Sequence, residues 1–248
     1  MNNNQMTVEE KERAIDALAN ELLTFVACII IAPGRLSRPA EMYDAATALL
    51  IDTGTRRLLV TCEHVLREYQ SQQLKNPSMI LALNLGDGDK TVELPDPTSP
   101  KRLIASSTTS DLVVFDYRGL DSASISNRNY LPVNLDELER PSKGDAVVFI
   151  GFPRKFRKVD QACATFVAIP IPLVVSDITP STILCSCEGD NKEVFADMGE
   201  RFGGFSGGPV FAAASNGKLQ LVGFVREKAS FGLLITPATC LREMLTSL

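Results

Sequence analysis

The chain has 248 residues, 45% of them hydrophobic, enough to bury a substantial core in one unit. A net charge of -5, with 22% charged residues, offers no basic surface for a polyanion, so nucleic acid is not an expected partner. The longest apolar run, Phe25 to Pro33, is too short to cross a bilayer, and no membrane association is expected.

The N-terminal stretch "MNNNQMTVEEKERAIDALANELL" mixes acids among its early charges and lacks a basic region followed by an apolar core, so a secretory signal is not expected. Cys28, Cys62, Cys163, Cys185, Cys187 and Cys240 then read as reduced thiols of a cytoplasmic protein. In the same stretch Thr7 and Glu10 form a capping box, and Ile15, Leu18, Ala19, Leu22 and Leu23 share one helical face. Residues 1–24 are therefore expected to be an amphipathic helix packed on the body, or else an arm for a regulatory partner.

From Phe25 onward the pattern changes to short apolar or alternating runs. These are "FVACIIIA", "ATALLI", "RLLVTC", "SMILAL", "LVVFDY", "AVVFIGF", "ACATFVAI", "STILCSC", "PVFAAA", "LQLVGFV" and "FGLLIT". Asp52-Thr53-Gly54, Gly86-Asp87-Gly88 and Ser215-Asn216-Gly217 supply turn chemistry between them. Many strands with little helix between them predict an all-β, antiparallel barrel or sandwich architecture, not a parallel α/β sheet. The polar segment 118–144 divides the runs into similar halves, which predicts two antiparallel β-barrels over 25–120 and 121–248. Thr236 and Pro237 open a short C-terminal helix. Cys185-Ser186-Cys187 has no CxxC pair or second histidine beside it and alternates like a strand, so no metal site is expected there.

The segment "RFGGFSGGPVF" places Ser206 among four glycines ahead of an apolar run. A serine hydroxyl is a weak nucleophile until a base takes its proton and donors receive the oxyanion. Glycines let the amides of Gly204 and Ser206 turn toward one point, although a flexible turn before a strand has the same composition. His64, the only histidine, ends an apolar strand in "LLVTCEHVLREY", at the start of a short helix. Asp111 in "SSTTSDLVVFDY" suits the carboxylate that would orient it; Asp116, farther along the same strand, competes.

Chain order separates the folds. "GFSGG" also fits the α/β-hydrolase elbow, but there the histidine must follow the serine. A subtilisin order needs an acid before His64, and Asp44 and Asp52 lack the accompanying helices; a phosphate loop needs a lysine that this loop lacks. His, then Asp, then Ser remains.

With "LVTCEHVL", "SDLVVFDY" and "GGFSGGPVF" in this order, residues 25–240 resemble the chymotrypsin-like serine peptidases, particularly the bacterial HtrA-like branch, here without a PDZ-like extension. "GDAVVFIGFP" and "LVGFV" are similar to the strand opening the second barrel and the strand lining the cleft. The resemblance implies His64 as general base, Asp111 as its partner, Ser206 as nucleophile, and an oxyanion hole at the amides of Gly204 and Ser206. It also implies that substrate backbone adds as a strand along Val225, Arg226 and Glu227. Phe205 stands where zymogens of the family have an aspartate, which excludes activation by a new N-terminus; Cys62 replaces a small alanine. Offset from the serine puts Glu200 near the base of the primary pocket and Glu227 at its wall, though Arg226 and Lys228 blur that charge and solvated loop acids are the preferred reading.

These residues imply a serine endopeptidase acting on protein or peptide substrates, with no cofactor. Two other expectations remain: a catalytically silent peptide-binding module, and a protease that needs a partner to order the 188–204 loop.

Overall fold

The computed structural model describes residues 20–33, 44–84, 91–117, 129–153, 158–159, 164–165, 168–186, 203–213, 219–229 and 232–247. Thr7, Glu10 and most of the expected N-terminal helix lie outside them, as do Glu200 and the turns at 86–88 and 215–217. Residues 20–23 are helical, and Leu22 is buried against the body.

The first half is one sheet. Its strands are β1 (Val26–Pro33), β2 (Asp44–Asp52), β3 (Arg57–Thr61), β4 (Met79–Asn84), β5 (Thr91–Glu93), β6 (Leu103–Ser107), β7 (Leu112–Asp116) and β8 (Leu131–Pro132). Their order is β5-β4-β1-β2-β3-β7-β6, antiparallel throughout, with β8 added parallel to β2. Asp52-Thr53-Gly54 turns β2 into β3 as its composition predicts. Gly54 sits at φ 81° and donates to Asp52 Oδ1 at 2.8 Å. Helix α1 (Glu63–Lys75) follows β3 and runs longer than the short helix expected after His64.

The second half contains a two-stranded ribbon, β10 (Lys158–Val159) with β11 (Ala164–Thr165), and a closed barrel. The barrel strands are β9 (Ala146–Gly151), β12 (Ile169–Ile178), β13 (Ile183–Ser186), β14 (Pro209–Ala213), β15 (Leu219–Ala229) and β16 (Gly232–Pro237), closed in the order β12-β13-β16-β15-β14-β9. Helix α2 (Ala238–Thr246) ends the chain. The architecture is all-β and antiparallel in two units, as the spacing of apolar runs predicts.

The strand pattern misses β12 because of its two prolines. Among the described residues β13 joins β12 only from Val174 onward, and Pro170 and Pro172 pair with β9 alone. Residues two apart present their nitrogens to the same side, and a proline is tolerated where that side needs no ladder bond from it.

Burial explains why many strands are apolar without a break. In β1, Ala27, Ile29 and Ile31 face one cluster inside the first unit, while Cys28, Ile30 and Ala32 face another. From the barrel, Val147 and Phe149 of β9 point inward, whereas Ile150 and Phe152 join the second cluster of the first sheet. The two units therefore share a third core, completed by Phe211, Phe224 and Leu241 of α2.

Candidate active site

The cleft between the units is about 440 Å³ and is lined by His64, Asp111 and Ser206, with Arg67, Thr108, Gly203 and residues 225–228. Each side chain arrives there for a local reason.

His64 is the second residue of α1. The helix begins at Cys62, which makes no side-chain cap, leaving early amides without partners. Asp111, on the turn between β6 and β7, fills that gap from outside: its carbonyl accepts from the Glu63 amide at 3.2 Å and its Oδ1 from the His64 amide at 2.9 Å. Oδ2 then meets His64 Nδ1 at 2.7 Å. A carboxylate only accepts, so Nδ1 carries the proton and Nε2 is left as the basic nitrogen. The same acid thus caps the helix and orients the ring. Asp111 adopts φ 50°, a left-handed conformation that aspartate tolerates better than most residues. Thr236 Oγ1 steadies the turn by donating to the Ser110 carbonyl at 2.6 Å.

The Asp111 side chain is only 7% exposed, against 39% for His64. Burial pushes the Asp111 carboxyl up, but hydrogen bonds from the His64 ring and amide, with the Cys62 thiol, outweigh it and hold its pKa below the usual value. Asp116 is buried at the end of β7, pairs in register with Leu58, and does not line the cleft; the structure joins Asp111, not Asp116, to His64.

Ser206 sits in the turn before β14. The carbonyls around it are all engaged: Gly204 by the Thr47 hydroxyl at 2.6 Å, Phe205 by the Gly208 amide at 2.8 Å, and Ser206 by the Thr47 amide at 2.8 Å. No acceptor among the described residues meets the amides of Gly204 or Ser206. Amides without an internal acceptor are one requirement of an oxyanion hole. Gly204 at φ 103° and Gly207 at φ 81° make the turn possible. A side chain at Gly207 would also collide with the Thr47 carbonyl, Thr61 Oγ1 and the Cys62 amide. No hydrogen bond joins Ser206 Oγ to His64 among the described residues; catalytic contacts often tighten only when substrate is bound.

Val225 is fully buried in the barrel, and its backbone is committed to the serine loop. Its amide donates to the Gly208 carbonyl at 2.8 Å, and its carbonyl accepts from the Gly207 amide at 2.8 Å and the Cys62 thiol at 3.2 Å. A bulge follows, after which Glu227 and Lys228 pair only with β16 among the described residues. Among the described residues no strand pairs with the other side of β15 at Arg226 and Glu227. Glu227 reaches Arg226 at 3.8 Å.

Sequence reasoning passed over Thr47, which has no motif around it, and the contact of Cys62 with Val225. Cys62, His64 and Asp111 bring ligand atoms within 4.8 Å of one another, the one such cluster among the described residues. Burial, followed by the charge of Asp111, raises the Cys62 thiol pKa well above its usual value, which disfavours the thiolate a metal needs. No helix among the described residues is long and apolar enough to cross a membrane.

Among solved structures, the chain is similar to a thermostable serine protease, AL20, from an extremophilic microorganism. Identity is 12%, over 90% of this chain and 96% of that one, with a TM-score of 0.50. It is also similar to HBP, at 14% identity over 91% of each chain and a TM-score of 0.50. Likeness at these identities speaks for the fold. No curated protein matches the sequence. The sequence model of the trypsin-like peptidase domain matches residues 46–223, a span holding His64, Asp111 and Ser206. The chain belongs to the trypsin-like peptidase domain family.

Proposed function

We propose that the chain is a serine endopeptidase, with Ser206 as nucleophile, His64 as general base and acid, and Asp111 as the residue that orients and stabilises the imidazole. His64 Nε2 takes the Ser206 proton as Oγ attacks the scissile carbonyl, and the amides of Gly204 and Ser206 receive the oxyanion. The imidazolium then protonates the leaving amine, and water repeats the cycle on the acyl-enzyme. This chemistry needs no cofactor. The observation that carries the reading is the 2.7 Å bond between His64 Nδ1 and a buried Asp111, in one cleft with Ser206.

An extended peptide would add along β15 at Arg226 and Glu227. The buried thiols of Cys62 and Cys240 support a cytoplasmic setting.

The test is labelling with a fluorophosphonate. Wild-type protein is expected to be modified at Ser206, and Ser206→Ala to stay unlabelled; equal labelling of the two under native conditions would reject an active peptidase. A second reading, a site silent until a partner seats the serine, draws on the missing Ser206–His64 hydrogen bond. It predicts labelling only after a cell extract is added.

A further inference from the structure

Four hydrogen bonds meet at Thr47, a fully buried residue of β2 in the first unit. Its amide donates to the Ser206 carbonyl at 2.8 Å, and its hydroxyl donates to the Gly204 carbonyl at 2.6 Å. The same hydroxyl oxygen accepts from the Phe152 amide at 3.1 Å, just past β9. Its carbonyl accepts from Thr61 Oγ1 at 2.7 Å, three residues before His64. One side chain and its own peptide groups thus tie together the strand leading to the base, the loop holding the nucleophile, and the end of the first barrel strand.

The geometry of peptide planes gives these bonds a consequence. A planar trans peptide points its carbonyl and amide in opposite directions, so holding one side of the plane fixes the other. The planes 204–205, 205–206 and 206–207 are each held through their carbonyls, and Thr47 holds the first and the third. Gly203 and Gly204 have no side chains to restrain them, and a Cβ at Gly203 would meet nothing within 4 Å. Without an anchor from across the cleft, this stretch could rotate its amides away from a common point at little cost.

We propose that Thr47 is a positioning residue for the oxyanion site. Its hydroxyl and amide, by engaging the carbonyls of Gly204 and Ser206, fix the two peptide planes that flank the one carrying the Ser206 amide, and its carbonyl, through Thr61, holds that loop in register with the His64 segment. The proposal rests on the peptidase reading for its kinetic consequence but not for its structural one.

The experiment compares wild type with Thr47→Ser, which keeps the hydroxyl, and Thr47→Val, which keeps the volume but loses the donor. With a peptide substrate cleaved by wild type, Thr47→Val is expected to lower kcat by roughly 10–100-fold while KM moves less than about threefold. Thr47→Ser is expected to stay within about threefold of wild type in both. Independently of turnover, the amide proton resonances of Phe205 and Ser206 should shift or broaden in Thr47→Val and not in Thr47→Ser. If Thr47→Val does not fold, Thr47→Ala takes its place, since the space it leaves admits a water to the Phe152 amide. A hydroxyl-less variant with unchanged Phe205 and Ser206 resonances overturns the proposal, as does one with wild-type kcat. If wild type itself shows no turnover, the peptidase reading falls, and the resonances alone decide the role of Thr47.

Discussion

At the scale of single residues, Asp111 shows how one carboxylate can serve both folding and chemistry. Its carboxylate receives the amide and the ring of His64, and these bonds hold it below the ordinary range despite burial. A depressed folded-state pKa means that the ionised form contributes stability above the unfolded value of about 4, and that this contribution disappears as pH falls through the lower folded value. The gap in urea midpoint between wild type and Asp111→Asn should therefore be widest near neutral pH and narrow below about pH 4. A gap that stays constant down to pH 3 would contradict this assignment. Cys62 leads to a second expectation. Its thiol is buried and its pKa is raised by desolvation and then by Asp111, so iodoacetamide should modify it only after unfolding, as read by mass spectrometry.

Among the elements, the serine turn is the most constrained. Gly207 needs a positive φ, and its Cα faces polar atoms of Thr47, Thr61 and Cys62 at van der Waals limits, with no apolar side chain able to move aside. Gly207→Ala is expected to destabilise the protein by about 3 kcal/mol or more, measured by urea denaturation, and to abolish fluorophosphonate labelling. Gly54, also at positive φ, has open space around it. Gly54→Ala should cost much less, on the order of 1 kcal/mol, and leave labelling intact. Equal losses at the two glycines would show that backbone conformation, not contact across the cleft, sets the cost.

For the whole molecule, the decisive feature is the core shared between units. Phe211 and Phe224 leave the barrel from its outer face and pack with Cys28, Ile30, Leu49 and Val60 of the first sheet. Because each unit covers apolar surface of the other, unfolding should occur in one transition seen identically by circular dichroism and fluorescence. Phe224→Ala is expected to cost about 3–5 kcal/mol and still to leave one transition. Two separated transitions in wild type would mean that the shared core contributes little.

The sequence by itself determined the strand content, the Asp52-Gly54 turn, and the order His64, Asp111, Ser206, because each leaves a local mark in alternation, turn residues or motif. It also placed Asp111 ahead of Asp116, through the small polar residues before it. Only the tertiary structure decided the rest. Pro170 and Pro172 fit β12 where, among the described residues, only β9 pairs with them, and which strands flank a segment has no signature in its own residues. Val225 bonds through both its peptide groups to Gly207 and Gly208, partners that its own apolar strand does not announce. Thr47 acquires its role from bonds to residues far along the chain, and an isolated threonine in an apolar strand looks the same with or without them.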